Sequence, residues 1–170
     1  LSLRVLLQSS HRVEFRHEGQ QHSSTVDVFR VQNVDTGEPV DLRQHQENLV
    51  DGLNALLNKE AENHRLNGLI ISGGLTWREV GLVRTYEAYL SQVSVSKSRR
   101  FITQTLLAHP ECAALIYRFF EAKFRPDFEN RMAAMTELHE KFYDSLKSYP
   151  LLFCLVACAT MACNSTVSNP

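Results

Sequence analysis

The chain has 170 residues, of which 44% are hydrophobic and 22% are charged. Its length suits one soluble domain or two small ones. Lys and Arg number 18 and Asp and Glu number 19, so the formal net charge is −1. This balance excludes the strongly basic proteins that bind nucleic acid or anionic lipid through net charge. We therefore expect neither nucleic acid nor a membrane among the partners.

Cysteine placement favours a reducing compartment. The first of the four cysteines is Cys112, so the first two thirds of the chain contain none. This spacing is not typical of a secreted domain held by disulfides. Residues 1–7 lead at once into polar sequence and do not have the pattern of a secretory signal. We expect a cytoplasmic protein and, because no Met begins the chain, a piece of a longer one.

The first forty residues have the pattern of strands. Apolar residues alternate with polar ones over residues 1–7 and 12–16, and a third apolar run covers residues 26–31. An alternation of period two is typical of half-buried strands. Polar stretches separate these runs, and Gly37 with Pro39 suits a turn after the third. The pattern predicts three short antiparallel strands.

After Pro39 the period changes to that of helices. Asp41 and Gln44 form a plausible cap pair for a helix that runs to Leu57 and is expected to lie on the sheet. Thr76 and Glu79 have the form of a capping box, in which each side chain accepts a backbone N–H of the other. They predict a helix over 77–92, one face of which carries these residues: Val80, Val83, Glu87 and Leu90.

Three further helices are predicted. Ser98 is a candidate cap for a helix that ends at Leu107, and Pro110 suits the start of a helix over 111–124. Pro126 repeats this pattern and would place two carboxylates in the first turn of a long helix that ends before Pro150. Those carboxylates are Asp127 and Glu129. The predicted fold class is α+β, a short antiparallel sheet followed by a mainly helical bundle.

The common motifs of catalysis and of nucleotide binding are absent from the sequence. There is no G-x-G-x-x-G, P-loop, H-E-x-x-H, C-x-x-C or G-x-S-x-G. Gly73-Gly74 is the only glycine pair; we interpret it as a connector between helices, with a phosphate cradle as the less favoured alternative. No catalytic or cofactor-binding residue is predicted.

Metal sites are also disfavoured. Neither of two groups of ligand-type residues has the spacing of a zinc or iron–sulfur site, so we interpret them as solvated loop histidines and small buried thiols. The groups are His11, His17 and His22, and Cys154, Cys158 and Cys163. A charged group near Trp77 is either a solvated helix face or a salt-bridged contact with a neighbouring domain. It comprises Arg78, Glu79 and Arg84.

One long segment carries a family resemblance. Residues 67–86 read NGLIISGGLTWREVGLVRTY and closely resemble a segment of the large bacterial NAD-specific glutamate dehydrogenases. The likeness continues through FITQTLLAHPE (101–111) and FFEAKFRP (119–126), and it covers about residues 1–146. The residues that we assign to the family motif are Gly74, Leu75, Thr76, Trp77, Arg78, Glu79, Arg84, Tyr86, His109 and Pro110.

The resemblance implies an arrangement in three parts. Residues 1–62 resemble part of the last ACT-like domain of the family, residues 63–148 its helical region, and residues 149–170 form an apolar tail unlike the family. The parent enzymes convert glutamate, NAD and water to 2-oxoglutarate, ammonia and NADH. Their catalytic lysines, substrate pocket and dinucleotide-binding domain lie downstream of the matched region, so no catalytic residue and no cofactor is assigned to this segment.

Two functional hypotheses follow from the resemblance and from the missing motifs. The first is a noncatalytic segment that positions the catalytic domain, mediates homo-oligomer contacts or responds to an amino-acid effector. The alternative is a free-standing helical protein-interaction module. If the ACT-like half lacks its first strand and helix through truncation, its sheet exposes an edge strand, and we then expect the isolated chain to self-associate.

Overall fold

The computed structural model describes residues 3–34, 37–92 and 98–148, with side chains described through residue 145. In these ranges a two-stranded antiparallel sheet precedes the helices, which confirms the α+β class. The described residues divide into two compact units: a hairpin unit (within residues 3–44) and a helical unit (within residues 45–148). The domain boundaries expected at 62 and 148 stay predictions, and the tail 149–170 lies outside the described residues.

The hairpin unit contains two long strands where the sequence predicted three short ones. Strand β1 (Leu3–His17) pairs with β2 (Gln20–Asn33) through the tight turn at Glu18 and Gly19. Both turn residues have positive φ, 51° and 78°, as a two-residue type I′ turn requires. The prediction of three strands was wrong because the polar residues 8–11, taken as a loop, are paired within β1. Polar side chains are compatible with a strand wherever they face solvent.

The described helices and 3-10 turns follow the hairpin. The 3-10 turns are Leu42–His45 and Arg65–Gly68. The α-helices are α1 (Gln46–Leu57), α2 (Leu69–Ser72), α3 (Trp77–Gln92), α4 (Arg99–Ala108), α5 (Pro110–Phe124) and α6 (Arg131–Ser148).

Most predicted helix starts agree with the structure. The hydroxyl of Ser98 accepts the N–H of Phe101 at 3.3 Å. Helix α4 begins at Arg99, directly after Ser98. Pro110 occupies the first position of α5, where its missing N–H removes no hydrogen bond. The Asp41 carboxylate instead accepts the N–H of Arg43, and the chain first forms a 3-10 turn before α1 begins.

The predicted start of the last helix was wrong. Asp127 and Glu129 precede α6, which begins at Arg131 and has no carboxylate in its first turn. Residues 126–130 form turns that end at Asn130, whose φ is 51°, in the left-handed region that Asn tolerates. The guanidinium of Arg131 closes this connection by donating to the backbone carbonyl of Arg125 at 2.7 Å.

The core of the helical unit lies between the second 3-10 turn and the helices α3, α4 and α5. Its fully buried side chains include Leu66, Leu69, Ile70, Val80, Val83 and Ile102. The predicted inner face of α3 is confirmed, because Val80, Val83, Glu87 and Leu90 are all buried. Phe142 extends this core onto α6, and Trp77 and Tyr86 pack against it while partly exposed. The carboxylate of Glu87 therefore lies within an apolar core.

Two helical glycines differ in the space around them. A Cβ added at Gly81 in α3 would meet no atom within 4 Å, whereas one at Gly52 in α1 would lie 2.8 Å from Cδ1 of the buried Ile70. We expect Gly81→Ala to raise the free energy of unfolding by about 0.5–1 kcal/mol, because alanine favours a helix. We expect Gly52→Ala to lower it by about 1 kcal/mol through overpacking. Urea unfolding followed by Trp77 fluorescence measures both, and an equal gain in the two variants would contradict the packing argument.

Candidate functional site

The capping box predicted at the start of α3 is present. The backbone N–H of Thr76 donates to Oε2 of Glu79 at 2.8 Å, and the N–H of Glu79 donates to Oγ1 of Thr76 at 3.3 Å. Tyr117 of α5 also shares a side-chain hydrogen bond with Glu79. Burial raises the pKa of Tyr117, and the carboxylates of Glu121 and Glu79 raise it further. Glu79 thus both caps α3 and links α3 to α5.

The Gly73-Gly74 pair forms a connector whose polar groups are bonded within the chain. The N–H groups of Gly73 and Leu75 both point to the carbonyl of Leu69, at 2.9 and 3.3 Å. Gly74 has a φ of 65°, and its carbonyl accepts the side-chain amide of Asn48 at 3.0 Å. Because these donors already have protein acceptors, the arrangement fits a connector and not a phosphate cradle.

The other charged motif residues near Trp77 have separate partners. The Arg78 guanidinium lies 4.4 Å from the centre of the Trp77 ring, a cation–π contact. Arg84 pairs with Glu62 at 3.4 Å, and because the Glu62 side chain is 81% exposed the pair adds little stability. The rings of Tyr86 and Phe120 meet edge to face. Arg78, Glu79 and Arg84 therefore do not form one cluster.

The last two motif residues lie where α4 meets α5. His109 ends α4, and its carbonyl accepts the N–H of Cys112 at 3.0 Å in the first turn of α5. The imidazole Nδ1 of His109 lies 3.6 Å from the Glu111 carboxylate. Pro110 begins α5, and its Cβ lies 3.5 Å from the position of a Cβ built at Gly73. This junction packs beside the glycine connector.

Sequence reasoning assigned Glu87 to the inner face of α3 but did not single it out as a site. Glu87 is completely buried, with 0% of its surface exposed. Nε of Arg99 donates to its Oε2 at 3.2 Å, and the hydroxyl of Thr103 donates to its Oε1. Nε2 of His64 lies 3.8 Å from Oε2. We call Glu87, Arg99, Thr103 and His64 the carboxylate cluster.

The hydrogen bond on the far side of His64 fixes which ring nitrogen carries the proton. Nδ1 accepts the backbone N–H of Leu66 at 3.2 Å, so in the neutral ring the proton is on Nε2, the atom that faces Glu87. The same bond caps the 3-10 turn Arg65–Gly68. The carboxylate cluster therefore joins α3, α4 and this turn.

The sequence contained a partial signal for this site. Glu87 occupies a position of the apolar stripe of α3, and a charge in such a position needs buried partners. Its partners Arg99 and Thr103 are 12 and 16 residues away in the sequence. No local pattern identifies partners at such distances, because only the packing of α4 on α3 brings them together.

The carboxylate cluster is suited to holding helices and not to reacting with a substrate. Glu87 has no exposed surface, and among the described residues no buried side-chain nitrogen or oxygen lacks a hydrogen-bond partner. A general acid or base must reach the reacting atom of a substrate within about 3 Å, directly or through water. Glu87 is closed off by its own partners.

The described ranges 3–34, 37–92 and 98–148 contain neither a candidate metal site nor a candidate membrane-spanning helix. They contain no group of three or more His, Cys, Asp or Glu residues that could hold a metal ion. His22 stacks on Phe15, with ring centres 5.6 Å apart, and its ring lies 6.4 Å from that of His17. None of the helices in these ranges is both long and apolar enough to cross a bilayer. Cys154, Cys158 and Cys163 lie outside the described residues.

A surface depression of about 450 Å³ lies on α6. The lining residues that fall in the described part of the chain belong to that helix: Thr136, His139, Glu140, Tyr143 and Asp144. Small-molecule sites bring polar groups from several elements toward one point. The described lining residues, which come from one helix, do not have this arrangement.

Comparison with known proteins identifies the helical region. Residues 61–126, which enclose the whole carboxylate cluster, match the family described as "Glutamate dehydrogenase, helical motif 3". This part of the chain belongs to the glutamate dehydrogenase family. All ten residues that we assigned to the family motif lie in the matched range.

Three curated relatives have the name "NAD-specific glutamate dehydrogenase". The protein from Pseudomonas aeruginosa is 32% identical over 124 residues, or 73% of this chain. That from Halomonas elongata is 33% identical over 91 residues (54%), and that from Mycobacterium tuberculosis is 34% identical over 76 residues (45%). The matches span only 7%, 6% and 5% of these relatives, so the chain is similar to a small segment of each. No solved structure matches the chain.

The carboxylate cluster predicts that substitutions of two neighbouring arginines lower the free energy of unfolding by unequal amounts. Arg99→Met would leave the buried carboxylate of Glu87 without its strongest donor. Because the Arg99 side chain is itself 55% exposed, we expect a loss of about 2 kcal/mol, less than for a fully buried pair. The control Arg100→Met changes an exposed residue of the same helix and should cost under about 0.5 kcal/mol. Similar losses in urea unfolding would show that Glu87 does not depend on Arg99.

The thiol of Cys112 predicts a loss of stability in alkaline solution. Burial, followed by the charge of Glu111, raises the pKa of Cys112 from 9.0 to about 11. Because the pKa of the folded state exceeds that of the unfolded state, this thiol contributes full stability below pH 9, and the contribution is lost as the pH rises toward 11. We expect the wild-type chain to lose up to about 2 kcal/mol more than Cys112→Ala over this interval. Parallel denaturation curves across it would contradict the prediction.

Proposed function

We propose that this chain is a noncatalytic segment of an NAD-specific glutamate dehydrogenase and that it holds the catalytic part and the subunits of the enzyme in position. One observation carries the proposal. The region that matches the glutamate dehydrogenase motif contains a packed set of helices, joined at Glu87, whose carboxylate has no surface exposed to a substrate. Such a unit supplies rigidity to an enzyme and not chemistry.

The internal bonding of the helical unit supports a positioning role. The turn Arg65–Gly68, α3 and α4 meet at Glu87, and α3 is joined to α5 by Glu79 and Tyr117. Each of these ties lies within the matched range 61–126. Helices joined in this way move as one body, so a displacement of one helix also displaces the helices bonded to it.

The parent reaction is part of the proposal. By resemblance to the relatives, the complete enzyme would oxidise glutamate to 2-oxoglutarate and ammonia with NAD as its cofactor, in the cytoplasm. The catalytic domain and further copies of the chain would be the partners of this segment. The hairpin unit would belong to an ACT-like domain, and an amino acid would be the effector that it binds.

A chimeric enzyme tests the positioning role. The matched 124-residue segment of the Pseudomonas aeruginosa relative is replaced by the corresponding residues of this chain, and NADH formation from glutamate is measured. We expect an active enzyme with KM values for glutamate and NAD within about twofold of the parent, since a segment remote from the substrates does not change uniform binding. Arg99→Met in the chimera should lower kcat and leave both KM values unchanged, whereas Arg100→Met should change neither parameter.

Two results would contradict the proposal. NAD-dependent oxidation of glutamate by the purified 170-residue chain alone would show that the segment itself is catalytic. A chimera that assembles to the size of the parent enzyme but forms no NADH would show that this chain does not replace the segment. The second result would favour the alternative hypothesis of a free-standing interaction module.

A further inference from the structure

The side chain of His64 contacts two parts of the helical unit. Its Nδ1 accepts the backbone N–H of Leu66 at 3.2 Å, and this bond caps the turn Arg65–Gly68. Its Nε2 lies 3.8 Å from Oε2 of Glu87 in α3. Nδ1 can accept a hydrogen bond only while it carries no proton, whereas a proton on Nε2 faces a carboxylate. The two ring nitrogens therefore respond differently to acid.

A second proton on the ring of His64 removes the cap of the turn. A histidine cation carries N–H on both nitrogens and has no acceptor. Nδ1 and the backbone nitrogen of Leu66 would then be two donors only 3.2 Å apart, which repel each other. The same proton gives the ring a positive charge beside Glu87. Proton uptake thus exchanges a hydrogen bond within the turn for an ion pair with α3.

The N–H that the ring releases has no water within reach. Leu66 has 0% of its surface exposed, and a buried N–H without an acceptor is destabilising. The other bonds of the turn come from Asn67, whose N–H donates to the carbonyl of His64 at 3.0 Å and whose side-chain amide donates to the carbonyl of Glu62 at 2.9 Å. These carbonyls accept at any ordinary pH. The turn must therefore move until the N–H of Leu66 finds a new acceptor.

The charges around His64 act on the ring in opposite directions. The turn packs against α2, α3 and α4, and α2 has no ionisable side chain. The carboxylate of Glu87 attracts the charged ring, and the guanidinium of Arg99, which binds the same oxygen, repels it. The remaining charged residues of this junction are Arg84 of α3, which pairs with Glu62 at 3.4 Å, and the exposed Arg65.

We propose that His64 is a pH-sensitive switch of the turn Arg65–Gly68. Its side chain is 23% exposed, so the ring exchanges protons with solvent, and histidine ordinarily changes its charge between pH 5 and 8. With an uncharged ring the turn is capped and closed. A proton taken up on Nδ1 releases the N–H of Leu66, Nε2 pairs with Glu87, and the turn opens. The switch belongs to the helical unit and does not depend on the proposed positioning role.

NMR spectra of the 170-residue chain between about pH 7.5 and 5 test the switch. The imidazole nitrogen signals of His64 follow the second proton, and amide hydrogen exchange of Leu66 follows the cap. We expect the protection factor of Leu66, corrected for the pH dependence of exchange itself, to fall by about fivefold or more, the effect of losing one hydrogen bond. Its midpoint should coincide with the titration of the His64 ring.

The backbone N–H of Val80 is the internal reference. It donates to the carbonyl of Thr76 at 3.0 Å in the first turn of α3, and Val80 is 1% exposed. No titrating atom accepts this bond. Its protection factor should therefore stay constant over the interval in which that of Leu66 falls.

Two substitutions of histidine separate the charge of the ring from the cap. In His64→Asn the side-chain oxygen replaces Nδ1 as the acceptor, since Asn is a good cap residue, and it takes up no proton in this range. The protection factor of Leu66 should then be independent of pH. His45→Asn is the matched control, because His45 also precedes a helix but makes no side-chain cap bond. This variant should respond to pH as the wild type does.

The outcomes decide as follows. A constant protection factor of Leu66 in the wild type, or a His64 ring that takes up no second proton by about pH 5, would overturn the switch. So would an equal fall in His64→Asn, which would assign the response to another group. An equal fall at Val80 would indicate a general loosening of the helical unit and would also overturn it. If His64→Asn does not fold, the midpoints of His64 and Leu66 in the wild type, compared with Val80, decide alone.

Discussion

The helical unit depends on one buried negative charge. Glu87 has no exposed surface, and taking a carboxylate out of water costs several kcal/mol unless strong donors replace its hydration. Arg99 and Thr103 supply such donors, and the protonated nitrogen of His64 faces the same oxygen that Arg99 binds. The requirement to satisfy this charge fixes the positions of α3, α4 and the turn Arg65–Gly68 together. Apolar packing alone is less selective, because many arrangements of the same side chains bury similar area.

The two units place their apolar residues differently. The helical unit surrounds its apolar residues, and its fully buried core includes Leu66, Val83 and Ile102. The hairpin unit instead leaves large apolar side chains exposed, among them Leu7, Val26 and Val28. Exposed apolar patches are unfavourable in an independent soluble protein and are typical of surfaces that contact a partner. This difference fits the finding that the chain corresponds to only a small part of its NAD-specific relatives. The closed helical unit supports the positioning role.

The polar sequence of the first forty residues limited the prediction of the sheet. Helix signals such as Thr76 with Glu79, or Ser98, act over three or four residues, and the structure agrees with them closely. The polar residues 8–11 had the composition of a loop, yet they pair across the hairpin because a strand with a solvated face accepts them. In the same way, Pro126 had the pattern of a helix start, but the chain forms turns up to Asn130 before α6 begins.

The sequence by itself determined the α+β class, the start of α3, α4 and α5, the buried face of α3 and the resemblance to glutamate dehydrogenase. These features depend on contacts between near neighbours along the chain or on residue identities read directly. The tertiary structure alone decided that the first strands form one long hairpin and that Glu87 meets Arg99, Thr103 and His64. It also decided that Glu79 binds Tyr117 of another helix. Such contacts join residues far apart in sequence, and only the packing of whole elements brings them within hydrogen-bonding distance.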